Sequence, residues 1–206
     1  NFYYKAFSSQ DLPGAVAGIR ALGVRGCGVS MPFKEAAIAL VDELDASAAA
    51  IASINTIVNT AGHLKAYNTD YLAIAQLLDS HRVPKEYRFV LRGSGGMAKA
   101  VASALRDGGY RNGAILARNE RAGRALAEAL GYTWQAQPDD LPAQLLINVT
   151  PIGMSGGAQA DDLAFSGEAI AAAQIVFDVV AIPAETPLIL RARAEGKQVI
   201  TGLEVI

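Results

Sequence analysis

Lys34 and Asp70 are a basic and an acidic side chain, each expected just past the end of a short apolar strand. Interconverting a secondary alcohol and a ketone needs a group that takes the hydroxyl proton in one direction and returns it in the other. A lysine serves where partial burial makes its neutral amine accessible, and a neighbouring carboxylate can position it. Lys34 closes the run Val29-Ser30-Met31-Pro32-Phe33, whose end Pro32 fixes. Asp70 closes Asn68-Thr69-Asp70 at an expected helix start. Spacing alone leaves a second reading open, with Lys34 as a solvated first-turn lysine and Asp70 as a helix cap.

A different chemistry sits in the second half. Gly93-Ser94-Gly95-Gly96 lies between the apolar run Phe89-Val90-Leu91 and an expected helix that begins at Met97. In that context the first glycine permits a tight turn and Gly95 lets the backbone approach a pyrophosphate. The helix start then offers unpaired N–H groups and a positive dipole end. The other reading is a plain strand-to-helix turn. The next strand ends at Arg118, 22 residues after Gly96, followed by Asn119-Glu120-Arg121. An acid at that strand end favours NAD, whereas an arginine suits a ribose 2′-phosphate, so the reading is NADP. Glu120 competes, either as a ribose ligand or as an ordinary first-turn acid. Arg121 and Arg124 could instead belong to an exposed helix face, the preferred reading for Arg124.

The elements that must carry these groups follow from pattern. Expected in the first part are a strand over 2–7, a helix opened by Asp11-Leu12-Pro13 with Asp11 or Ser9 as its cap and ended by Gly23, and a strand over 26–29. A helix over about 33–44, a short helix over 46–51 and a strand over 54–58 follow. A Gly62-His63 turn then leads into a returning strand over 64–67, and a helix runs to about Ser80. The second part alternates strands (89–91, 113–117, 144–148, 175–180, 198–200) with helices (97–106, 120–130, 185–194). That alternation implies a doubly wound parallel sheet of α/β class, preceded by a smaller α/β domain. Residues 153–162 read as a mobile polar loop.

Composition limits the partners. The 206 residues are 51% hydrophobic with a formal net charge of −2, which gives no electrostatic case for nucleic acid or an anionic membrane. The apolar runs are too short to span a bilayer. Cys27 stands alone, which suits a reducing cytoplasm, and His63 and His81 give no metal constellation. The opening at Asn1 inside an expected strand, and the stop at Ile206 in mid-pattern, suggest segments beyond both ends and leave room for a leader peptide. Oligomeric state is not legible.

Over nearly its whole length the chain resembles the shikimate/quinate dehydrogenase family. Gly28-Val29-Ser30-Met31-Pro32-Phe33-Lys34 resembles the family's Asn-Val-Thr-x-Pro-x-Lys. Asn55-Thr56, Asn68-Thr69-Asp70 and Gly93 to Gly96 match its further motifs, and Asn148 to Met154, Asp178 to Pro187 and Gly202-Leu203 resemble its later segments. The resemblance implies a substrate-binding and catalytic domain over 1–70, a Rossmann NADP-binding domain over 71–201 and a segment returning to the first domain from 202. It implies NADPH reduction of 3-dehydroshikimate to shikimate, with Lys34 as proton donor and acceptor paired with Asp70. Ser30 and Asn55 would bind substrate. Gly93, Ser94, Gly95, Gly96, Met97, Arg118, Asn119 and Arg121 would bind cofactor, and Val179 and Gly202 would approach the nicotinamide by main chain. Asn148 and Thr150 either shape that floor or cap a strand end.

Three departures stand out: Gly28 replaces the motif's asparagine, Ser30 its threonine (keeping the hydroxyl but losing the methyl that stiffens the rotamer), and Ala181 the tyrosine of Asp-x-x-Tyr-x-Pro, so that one phenol hydroxyl is gone. Losing a hydrogen bond to a charged ligand costs about 1.5–3 kcal/mol, roughly ten- to a hundredfold in binding. The expectation is therefore a divergent paralogue for which shikimate is a poor substrate. Two rivals are a methylenetetrahydrofolate dehydrogenase-like enzyme, disfavoured by Asn-Thr-Asp and Pro-x-Lys, and a non-catalytic NADP-binding regulatory module, which would need neither Lys34 nor Asp70.

Overall fold

The computed structural model describes residues 3–30, 32–137 and 142–205. The chain falls into two compact units, Asn1–Thr69 and Asp70–Ile206.

In the first unit, helix α1 (Leu12–Ala21) starts where Asp11 accepts the Gly14 N–H and Pro13 sits in the first turn, as the capping pattern predicts. Strands β1 (Gly26–Gly28), β2 (Glu43–Leu44), β3 (Thr56–Thr60) and β4 (His63–Tyr67) form one sheet in the order β1-β3-β4-β2, with the four-residue helix α2 (Ala46–Ala49) following β2. Only the β2–β4 pair is parallel. The core lies between this sheet and α1, where Val16, Ile54, Ile57 and Leu64 are buried together.

Three expectations are corrected here. No strand forms over Tyr3–Phe7, which pair with no ladder and leave Tyr3, Tyr4 and Phe7 exposed; Phe2 and Met31 lie outside the described residues. The helix expected over 33–44 shortens to a 3-10 segment, Ala36–Leu40. Beyond it the Asp42 N–H donates to the Leu64 carbonyl at 2.9 Å, and the Asp42 carboxylate takes the Leu64 N–H at 2.7 Å, so the chain is drawn into the sheet. The hairpin turn is Ala61-Gly62, both at positive φ, and His63 pairs with Thr60. The Asn59 Oδ1 sets this register by accepting the Gly62 N–H at 2.8 Å.

Asp42 also meets the Arg20 guanidinium at 2.6 Å. Arg20 and then the Leu64 N–H hold its carboxyl at about 2, well below the usual range. A depressed carboxylate stabilises the fold above its unfolded pKa, and that contribution disappears as pH falls through the folded value. Stability should therefore drop between about pH 4 and pH 2. Urea titrations of Asp42→Asn should show lower stability at pH 7 and a flatter acid limb than wild type. An unchanged acid limb would contradict the assignment.

Helix α3 (Thr69–Ser80) leads into the second unit, which continues with β5 (Phe89–Arg92), α4 (Gly96–Asp107), β6 (Gly113–Leu116), α5 (Glu120–Leu130) and β7 (Thr133–Gln135). Then come β8 (Leu145–Asn148), α6 (Gly167–Ala172), β9 (Ile175–Asp178), α7 (Pro187–Ala194) and β10 (Gln198–Ile200). The six strands are all parallel in the order β10-β9-β8-β5-β6-β7, the doubly wound Rossmann arrangement. Phe89, Leu91, Ile115, Ile147 and Phe177 pack on one face with residues of α3, α4 and α5. Val90, Ala114, Leu116, Leu146 and Val176 pack on the other with residues of α6 and α7. Burial on both faces explains the unbroken apolar strands.

Strand β7 and helix α6 were not anticipated. The first is three residues long, and the second is a six-residue run capped by Ser166, beyond the 153–162 stretch that reads as loop. Residues 153–162 form turns tied by backbone bonds, including Gly153 N–H to Gln159 O at 2.9 Å and Ser155 N–H to Ile182 O at 2.9 Å.

Candidate active site

In the first unit, backbone hydrogen bonds gather the residues expected to meet substrate. The Val29 N–H donates to the Asn55 carbonyl at 2.8 Å, and the Ile54 N–H donates to the Lys34 carbonyl at 2.9 Å. The loop carrying Ser30 and Lys34 is thereby laid along the residues that precede β3. Ser30 is exposed and Lys34 half-buried. The Asn55 N–H reaches the Tyr67 carbonyl at 3.0 Å, and its side chain goes further. Its Oδ1 accepts the Thr69 N–H at 2.9 Å and the Thr56 hydroxyl at 3.0 Å, while Nδ2 donates to the Thr69 hydroxyl at 3.0 Å. An amide NH2 has two donors, so one Asn55 N–H is not used by these bonds. Buried Asn68 fixes the same corner, with Nδ2 on the Ser53 carbonyl at 3.0 Å and its N–H on the Ser47 hydroxyl at 3.1 Å. Asn68 and Thr69 are positioning residues, a role that their place in the Asn-Thr-Asp motif does not by itself reveal. Asp70 follows as the first residue of the second unit, in the first turn of α3, where an acid is favoured by the helix dipole.

In the second unit, the ends of β5, β6 and β8 surround a cavity of about 400 Å³. Gly93, Ser94, Arg118 and Asn119 line it, as do Arg92 and Thr150. Gly93 has φ +133°, and a Cβ there would lie 2.7 Å from Val149 Cγ2, so the turn requires glycine. At Gly95 and Gly96 a Cβ would meet no atom of the chain within 4 Å, so packing does not demand these two glycines. They leave open the approach to the first turn of α4, whose N-terminus no side chain caps. Met97, partly buried, packs against the core in the first turn of α4.

Asn119 caps α5 by accepting the Ala122 N–H at 3.0 Å. Glu120 pairs with Arg124 at 2.8 Å, and Arg124 stacks 4.2 Å above the Trp134 ring, which accounts for both as parts of a helix face. Arg121 is exposed and does not line the cavity. The strand end that would carry an acid for a plain ribose carries Arg118 instead. The open glycine turn and this cation together fit a dinucleotide with an extra ribose phosphate.

Val179 and Gly202 meet beyond β9 and β10. A Cβ on Gly202 would lie 2.4 Å from the Val180 carbonyl, so the two backbones touch there and only glycine fits. A buried polar network supports this end. Asp178 accepts from Asn148 Nδ2 at 3.0 Å, the Val180 N–H at 3.1 Å and the Thr186 hydroxyl at 2.7 Å. Burial raises the Asp178 carboxyl above its ordinary value, against the opposing pull of these three donors. Asn148 in turn binds Thr150 through Oδ1, so both residues serve as a strand-end clasp. Among the described residues no group of three or more His, Cys, Asp or Glu side chains could hold a metal ion, and no helix is long and apolar enough to cross a membrane.

Comparison with known proteins agrees with this arrangement. A family described as the shikimate dehydrogenase substrate-binding domain matches residues 1–57. A shikimate dehydrogenase-like protein of Haemophilus influenzae is 50% identical over 206 residues, covering all of this chain and 76% of the relative. A solved shikimate 5-dehydrogenase-like protein superposes with a TM-score of 0.96 at 50% identity, over 98% of this chain and 75% of that one. The shikimate 5-dehydrogenase of Thermus thermophilus, solved with NADP(H) and shikimate, superposes with a TM-score of 0.79 at 29% identity, over 94% and 72%. With a glycine turn at the head of a six-stranded parallel sheet, and half its residues shared with such a relative, the chain belongs to the shikimate dehydrogenase family of oxidoreductases.

Proposed function

We propose that this chain is an NADP-dependent oxidoreductase that interconverts shikimate and 3-dehydroshikimate, or a close cyclic hydroxy acid. Residues 1–70 form the substrate-binding and catalytic domain, 71–201 the NADP-binding domain, and 202–206 the start of a segment that returns to the first. The observation that carries the reading is the backbone tie that lays the Ser30–Lys34 loop against Ile54 and Asn55 while Asn55 grips Thr69. That tie sets the backbone of the Ser30–Lys34 loop beside Asn55, whose side chain holds the residue that precedes Asp70. The relative from Thermus thermophilus, which holds NADP(H) and shikimate, supports both the cofactor and the substrate class.

Lys34 acts as the proton donor in reduction, giving a proton from Nζ to the carbonyl oxygen, and as the acceptor in oxidation. The Asp70 carboxylate orients that ammonium. Ser30 and the remaining Asn55 N–H hold substrate hydroxyl or carboxylate oxygens. Gly93 to Gly96, Met97 through its backbone, Arg118 and Asn119 bind the dinucleotide, Arg121 adds positive charge at the rim, and Val179 and Gly202 approach the nicotinamide by main chain. When bound, NADP(H) supplies or accepts the hydride at the carbinol carbon.

Gly28 and Ala181 lack the polar side chains of the family motif, and Ser30 keeps the hydroxyl but loses the methyl that stiffens its rotamer, so shikimate is a poor substrate. Steady-state kinetics of the protein with shikimate, quinate and related cyclic hydroxy acids, each with NADP and NAD, tests this. We expect NADP-linked turnover of at least one such acid, with kcat/KM for shikimate below about 10⁶ M⁻¹s⁻¹. A higher value defeats the poor-substrate reading, and no turnover of any cyclic acid defeats the proposed activity.

A further inference from the structure

Arg92 is the last residue of a strand whose other three members are buried and apolar. It pairs with Leu116 in the β5–β6 ladder, and Arg118 lies two residues beyond Leu116. Side chains two residues apart in a strand share a face. Val90, Ala114 and Leu116 all join the core on the α6/α7 side, so the register places Arg92 on that face. The β6 ladder runs past Leu116 through the Ala117 N–H to the Gln135 carbonyl at 3.0 Å, which continues the same alternation to Arg118. Two guanidinium groups thus start from adjacent strand ends, and both line the one cavity beside Gly93 and Ser94.

Their pairing with the rest of the chain is sparse. Arg92 is half-buried and donates through Nη1 to the Ala164 carbonyl; among the described residues no carboxylate pairs with it. Burial and the neighbouring Arg118 charge both pull the Arg92 guanidinium below its ordinary pKa. A half-buried cation whose electrostatic neighbour is a second cation is unfavourable by itself. A doubly charged oxyanion between the two would relieve both terms, and guanidinium forks suit its geometry. A structural role, tethering the Ala164 segment, uses one of the five N–H donors and leaves the rest.

We infer that Arg92 and Arg118 together form the seat for the ribose 2′-phosphate, so that Arg92 is a second determinant of NADP over NAD; this rests on the NADP reading above. The anion is the 2′-phosphate rather than the pyrophosphate, because the helix start at Gly95-Gly96 already offers N–H donors to the latter.

Isothermal titration of wild type, Arg92→Gln and Arg92→Lys with NADPH, NADH, adenosine 2′-phosphate and adenosine 5′-phosphate tests the inference. For Arg92→Gln the NADPH dissociation constant should rise about ten- to a hundredfold, the usual range for losing a charge-assisted bond. NADH should change less than about threefold, on the same scale. Adenosine 2′-phosphate should weaken with NADPH while adenosine 5′-phosphate does not. Arg92→Lys, which keeps the charge, should fall between wild type and Arg92→Gln, and it carries the test alone if the glutamine variant does not fold. Equal losses for NADPH and NADH, or no loss for NADPH, overturn the role of Arg92 while leaving the cofactor reading intact. A wild-type protein that shows no preference for NADPH overturns the cofactor reading itself, and the inference with it.

Discussion

Replacing Lys34 by methionine is expected to reduce turnover by about 10²- to 10⁴-fold, the usual contribution of a positioned acid–base group. Methionine keeps much of the side-chain length and removes the ammonium. The Lys34 carbonyl, which accepts the Ile54 N–H at 2.9 Å, is unaffected by the change, so the loop should stay against the sheet. NADPH affinity should match wild type within error, because the groups proposed to bind the dinucleotide belong to the other unit. Turnover within about tenfold of wild type, equivalent to only about 1.4 kcal/mol, would remove Lys34 from the proton-transfer role. Lost NADPH binding together with lost turnover would point to a folding defect, which thermal melting of the same sample detects.

The second large effect is expected at Asp178. This fully buried carboxylate receives hydrogen bonds from Asn148, Val180 and Thr186 and so joins the ends of β8 and β9 to the start of α7. Asp178→Ala would strip a partner from each of those donors at about 1–3 kcal/mol apiece. The groups relax together, so the net loss should be about 3–5 kcal/mol. At this chain length that lowers the melting temperature by roughly 10 °C. Asp178→Asn should be far milder, within about 1 kcal/mol, because its Oδ1 can still accept from Asn148 and Val180 while the cost of burying a charge is relieved. Calorimetry of the two variants settles the matter: an alanine variant no less stable than the asparagine variant would show that the network contributes little.

Strands β5, β8 and β9 were legible because burial on both faces demands unbroken apolar runs such as Phe89-Val90-Leu91. The α1 cap was legible because Asp11 and Pro13 act locally. Thr133-Trp134-Gln135 was not, since three residues hold too little pattern and its place in the sheet comes from pairing with β6. The run after Phe33 misled in a similar way. Its helical spacing is real, but Asp42 answers to Leu64 and Arg20, which are far away in sequence. Arg118 could be found by counting from the glycine turn. Arg92 could not, because its significance arises only when strand register sets it beside Arg118. Asn55 was anticipated as a substrate contact, whereas its grip on Thr69 depends on a hairpin register that the turn residues alone do not fix.

The strand order of the second unit also bears on how the chain assembles during synthesis. β5 is made first and ends near the middle, β6 and β7 add outward on one flank, and growth then reverses so that β8, β9 and β10 add outward on the other. Each newly made strand docks on a flank that is already present, and none has to be threaded between two others. The sheet can therefore build from the inside out as the chain leaves the ribosome, with β5 and β6, the strands that lead to Arg92 and Arg118, among the earliest to pair.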